Sequence, residues 1–75
     1  MTAQKKRSLE IEGRQTSVSI EPDFWWELKR IARQRHKSLT ELVEVISEQR
    51  TGKNLSSEIR LFVLREIARE QKMRD

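Results

Sequence analysis

Gln15, Ser17 and Ser19 occupy every second position of Gln15-Thr16-Ser17-Val18-Ser19-Ile20. An amide and two hydroxyls can each donate and accept hydrogen bonds. At this spacing they share one face of an extended segment, and Val18 and Ile20 share the other. The chemistry on offer is recognition by hydrogen bonding, not bond making. Asp23 and Glu27 lie one helical turn apart, but an acid near a helix start is explained by the helix dipole. No nucleophile with a nearby base, metal set or phosphate loop accompanies them. The chain therefore reads as a non-enzyme with no catalytic residue and no cofactor. It has no cysteine and a single histidine, His36. A zinc–thiolate site is excluded, and no metal cluster is expected.

The strand that must hold the polar triplet is expected over 15–21. At Pro22-Asp23 the apolar spacing becomes helical, through Phe24, Trp25, Leu28, Ile31 and Ala32. Helix one is expected over 22–35, with Trp25 inward and Trp26 partly exposed beside Lys29, Arg30 and Arg33. Ser38-Leu39-Thr40-Glu41 has the pattern of a capping box. It opens a second helix over 38–49 with Leu39, Leu42, Val43 and Ile46 inward. Thr51-Gly52-Lys53 reads as a loop in which Gly52 can end that helix. A third helix, 55–70, is capped by Asn54 or Ser56. Its run Leu61-Phe62-Val63-Leu64 is apolar nearly all round, which implies two covered faces. Residues 1–7, with Lys5, Lys6 and Arg7, read as a flexible basic arm, and 71–75 as a frayed tail.

A chain of 75 residues is one domain, here 8–70, and small domains often gain core by oligomerising. The fold class is mainly α with one short strand. A lone strand is not stable in water, so a second subunit supplies the partner strand of an antiparallel ribbon. An alternative stays open: Leu9 and Ile11 alternate with Glu10 and Glu12. Gly13-Arg14 would then turn the chain into a local hairpin, though Gly-Arg is a weak hairpin signal. The net charge of +4 favours anionic partners. No apolar run has the length of a membrane span, and no signal peptide is seen. A cytoplasmic protein without membrane contact is expected.

The strand Gln15 to Ile20, the helix from Pro22 and the Ser38-capped helix together resemble the ribbon-helix-helix superfamily, the fold of the Arc and methionine repressors. Arg14 to Trp25 and Asn54 to Leu64 look like a bacterial subfamily with an additional C-terminal helix. The resemblance covers roughly residues 8 to 68. It implies a homodimer whose paired strands read double-stranded DNA in the major groove, with Gln15, Ser17 and Ser19 facing the bases. It also implies a phosphate clamp at the start of helix two, from Ser38 and the backbone N–H groups of Leu39 and Thr40. Arg14 and the arm residues Lys5, Lys6 and Arg7 are candidates for further phosphate contacts. The dimer core is expected from Val18, Ile20, Phe24, Trp25, Leu28, Leu42, Ile46, Phe62 and Val63. The family's glycine between helices one and two is replaced here by His36, which must then adopt left-handed backbone.

The leading expectation is a sequence-specific DNA-binding homodimer acting as a transcriptional regulator, with further dimers on adjacent sites. The alternative is a protein-interaction dimer, including the antitoxin type, in which the third helix or the arm docks another protein.

Overall fold

The computed structural model describes residues 4–49 and 54–74. Two strands precede three helices: β1 (Lys5–Ile11), β2 (Arg14–Ile20), α1 (Pro22–Gln34), α2 (Leu39–Glu48) and α3 (Leu55–Arg74). β1 and β2 form a two-stranded antiparallel sheet, from Lys5 opposite Ile20 to Ile11 opposite Arg14. The expectation of a single strand is thereby corrected. β2 finds its partner in its own chain, and the ribbon needs no second subunit to exist.

The turn lies at Glu12-Gly13, not at Gly13-Arg14. Both residues have positive φ, 51° and 79°, as a two-residue type I′ turn demands. Glycine adopts that backbone without steric cost. The Glu12 N–H is held by the Glu44 carboxylate of α2 at 3.1 Å. Lys5, Lys6 and Arg7 accordingly belong to β1, not to a free arm, because the backbone groups of Lys5 and Arg7 pair with Ile20 and Val18, and Lys6 is carried between them opposite Ser19. The remainder of that arm, Met1 to Ala3, lies outside the described residues. So does the loop Thr51-Gly52-Lys53. The frayed tail is corrected as well, since α3 continues to Arg74.

The core sits between one face of the ribbon and the three helices. Leu9 and Ile11 of β1, Val18 and Ile20 of β2, Leu28 and Ile31 of α1, Leu42, Val43 and Ile46 of α2, and Leu55, Ile59 and Val63 of α3 are all buried. Val18, Ile20, Leu28, Leu42, Ile46 and Val63 therefore fill the protomer's own core, and their burial requires no second copy. Phe24, Trp25 and Phe62 are half-buried against it. Within Leu61–Leu64 the chain buries Val63 but leaves Leu64 53% exposed, so only one of the two apolar faces of α3 is covered internally.

Long-range arginine pairs fasten the helices. Arg30 of α1 forks onto Glu70 of α3 through two bonds of 3.0 Å and also binds Glu27. Arg35 lies over the Phe62 ring at 5.1 Å and pairs with Glu66. Burial pushes the Glu66 carboxyl up, but hydrogen bonds from Arg69 and Arg35 outweigh it and hold the group below the usual carboxylate range.

α1 ends where the resemblance placed a left-handed residue. His36 has φ 57°; the His36 N–H donates to the Arg33 carbonyl at 3.1 Å and the Lys37 N–H to the Ala32 carbonyl at 2.9 Å. That pair of bonds is a Schellman motif with His36 at its left-handed position. Replacing His36 by glycine removes the Cβ strain. The expected gain is about 0.5–1 kcal/mol, read as a higher midpoint in denaturant titration. A lower midpoint would contradict this account of the turn.

Candidate nucleic-acid interface

Alternation in both strands divides the ribbon into an apolar and a polar face. Gln15 and Ser17 are exposed and Ser19 is half-buried on the face opposite Val18 and Ile20. The hairpin adds residues that the single-strand reading did not assign to this face. Lys6, Ser8 and Glu10 of β1 stand opposite Ser19, Ser17 and Gln15 in the register, and all three are exposed. The alternation of Leu9 and Ile11 with Glu10 was the signal that pointed to them. The face so formed carries one cation, one anion and four neutral hydrogen-bonding side chains. Such a face offers hydrogen bonding more than electrostatic attraction.

The two strand edges differ. In a two-residue hairpin the Ile11–Arg14 pair closes the turn with a hydrogen bond, and bonded and non-bonded pairs alternate from there. The backbone groups of Gln15, Ser17 and Ser19 consequently point away from β1, and those of Lys6, Ser8 and Glu10 away from β2. At Ser19 this edge is already occupied. Its N–H donates to Ser56 Oγ at 3.0 Å, and its carbonyl accepts from Arg60 Nη2 at 2.8 Å. Arg60 Nε also donates to Glu21 at 2.7 Å. That bond holds the Glu21 carboxyl below its ordinary range. Ser56, one of two caps considered for α3, thus serves the ribbon edge; the cap is Asn54, whose Oδ1 accepts from the Ser57 N–H at 2.9 Å.

The start of α2 is built as its sequence implies. Ser38 Oγ accepts from the Glu41 N–H at 3.1 Å, and Glu41 Oε1 accepts from the Ser38 N–H at 2.8 Å. That second bond holds Glu41 below the usual carboxylate range. The capping box uses neither the Leu39 nor the Thr40 N–H, so both remain for an anion at the positive end of the helix dipole. Ser38 is exposed, and Leu39 and Thr40 are half-buried. Lys5 and Arg14 are exposed at opposite ends of the hairpin. Arg7 differs from the other cations of β1. It projects from the apolar face and lies over the Trp25 ring at 4.6 Å.

The chain belongs to the ribbon-helix-helix domain family, whose model matches residues 4–67. The match includes the whole hairpin, α1, α2 and most of α3. The fold is thus a ribbon-helix-helix domain extended by a C-terminal helix. The family is one of DNA-binding regulators, not enzymes, and its members typically dimerise. Comparison with curated proteins and with solved structures returned no match. Among the described residues, no helix is long and apolar enough to cross a membrane.

Proposed function

We propose that the protein is a sequence-specific DNA-binding homodimer that regulates transcription. The observation that carries this reading is the polar, solvent-facing side of β2, next to a strand edge left open at Gln15 and Ser17. Two copies can join along that edge as β1–β2–β2–β1. Of the odd positions, Ser19 is occupied by α3, so the register that uses both open residues places Gln15 of one copy opposite Ser17 of the other. Thr16 then lies at the two-fold axis. This pairing forms two hydrogen-bonded residue pairs and keeps all apolar side chains on one side of the sheet.

Dimensions decide which residues reach bases. Four strands at about 4.8 Å spacing span roughly 14 Å between the outer backbones. The major groove is about 12 Å wide and admits two strands. The central β2 pair enters the groove, and the β1 strands lie above the phosphate ridges. Gln15, Ser17 and Ser19 then face bases, and Lys6 faces phosphate. Lys5, Arg14, Ser38 and the N–H groups of Leu39 and Thr40 supply further phosphate contacts. Gln15 is the most discriminating member, since its amide can bind adenine through two hydrogen bonds.

Selection of bound duplexes from a random pool tests the assignment. The wild type is expected to enrich a two-fold symmetric site. Gln15→Ala should lose about 1–3 kcal/mol of discrimination at one step per half-site. Arg14→Ala should weaken all sequences alike and reduce the salt slope by about 0.9 per subunit. An unchanged site and affinity for Gln15→Ala would remove this residue from the reading face.

A further inference from the structure

Arg7, Pro22, Trp25, Trp26, Lys29 and Arg33 line a half-open cleft of about 320 Å³ between β1 and α1. It joins three cations to two indoles, and among the described residues no acid lines it. The neighbouring Arg30 is neutralised by Glu27 and Glu70, whereas no ion pair involves Lys29, Arg33 or Arg7 among the described residues. Trp26 is 70% exposed. Trp25 is partly covered by the Arg7 guanidinium, and the buried Arg7 Nε has no hydrogen-bond partner among the described residues.

We propose that this cleft binds a free mononucleotide, with the base stacked on Trp26 and the phosphate held by Lys29, Arg33 and Arg7. A phosphate monoester carries close to two negative charges at neutral pH, which suits three uncompensated cations better than a single carboxylate does. An exposed indole beside those cations offers a flat face to a planar ring. The volume lies at the small end of ligand sites and fits one nucleotide, not a dinucleotide. A second copy of the chain is a poor occupant. An isologous contact would set these three cations against the same three cations. The cleft also involves β1 and α1, away from the β2 edge where the partner strand is placed.

The protein's two tryptophans are Trp25 and Trp26, so intrinsic fluorescence reports on the cleft directly. Titration of the full chain with adenosine monophosphate should give saturable quenching with half-saturation below about 1 mM. Adenosine and inorganic phosphate, each offering half of the chemistry, should bind at least about tenfold more weakly. The double variant Lys29→Ala/Arg33→Ala removes two side chains that are exposed. With no ion pair of either side chain among the described residues to lose, it should keep its circular dichroism and melting midpoint while half-saturation rises at least about tenfold. Calorimetry with Trp26→Ala should show a comparable loss. The proposal is overturned by absence of saturation, by an equal response to adenosine, by undiminished binding in the double variant, or by a response confined to oligonucleotides. Gln15 lies outside the cleft, so Gln15→Ala should bind the mononucleotide normally. Failure here is thereby separable from failure of the DNA-reading assignment.

Discussion

Replacing Ile59 by alanine should destabilise the protein by about 2–5 kcal/mol. Ile59 is fully buried, in the second turn of the helix that closes the core over β2. Truncation there removes apolar contacts and leaves a cavity that the surrounding core can only partly fill. Typical stabilities of roughly 0.05–0.15 kcal/mol per residue mean that a chain this short loses a large part of its total. Denaturant titration should show a much lower midpoint, and binding to DNA should fall with the folded fraction. Leu64→Ala, five residues further along the same helix, should stay within about 0.5 kcal/mol because that side chain is half-exposed. The contrast bears on function as well as stability. An antitoxin-type tail would dock another protein and contribute little to its own domain. α3 instead buries Leu55, Ile59 and Val63 and ties the ribbon through Ser56 and Arg60. A loss below about 1 kcal/mol for Ile59→Ala would indicate loose docking and revive the partner-binding reading.

Local chemistry was readable from the sequence wherever a few adjacent residues decide the outcome. The Ser38–Glu41 capping box needs four residues in order, and both of its bonds form. The left-handed site at His36 came from the resemblance, which puts the family's glycine at that position, and the backbone there is left-handed. The hairpin was harder because its turn uses Glu12 as the first left-handed residue. Asparagine or aspartate normally signals that position, so the alternation in β1 had no clear turn to join it to β2. Periodicity told correctly that Val18, Ile20, Leu28, Leu42, Ile46 and Val63 are buried. It carries no information about which surface buries them, and β1 and α3 do so within one chain. The clamps Arg30–Glu70, Arg60–Glu21 and Ser56–Ser19 join residues some forty positions apart. No spacing rule reaches that far. The polar triplet on β2 was legible from alternation alone, whereas Lys6, Ser8 and Glu10 became part of the same face only through the register.

Proline at position 17 should abolish dimerisation and specific DNA binding while sparing the hairpin. The Ser17 N–H faces away from β1, so proline removes no bond of the ribbon itself. It removes a donor from the edge offered to the second copy. It does so at a residue opposite Gln15 of the partner, and the two-fold axis doubles the loss. The matched control is Ser8→Pro. Ser8 stands directly opposite Ser17, and its N–H faces away from β2 in the same way, but on the outer edge of β1. That edge is flanked by Lys5, Lys6 and Glu10, charges of the kind that discourage edge-to-edge pairing. Both variants should keep the wild-type circular dichroism, because both leave the same hairpin bonds intact. In sedimentation and gel-shift experiments, Ser8→Pro should remain dimeric and bind, and Ser17→Pro should run as a monomer with only weak, sequence-independent binding. The reverse outcome would place the second copy on β1. Lys6, Ser8 and Glu10 would then line the groove, and the uncharged face of β2 would lie over the phosphates. Electrostatics argue against that arrangement, since it would bring Glu10 to the centre of the interface and move Lys6 away from the backbone.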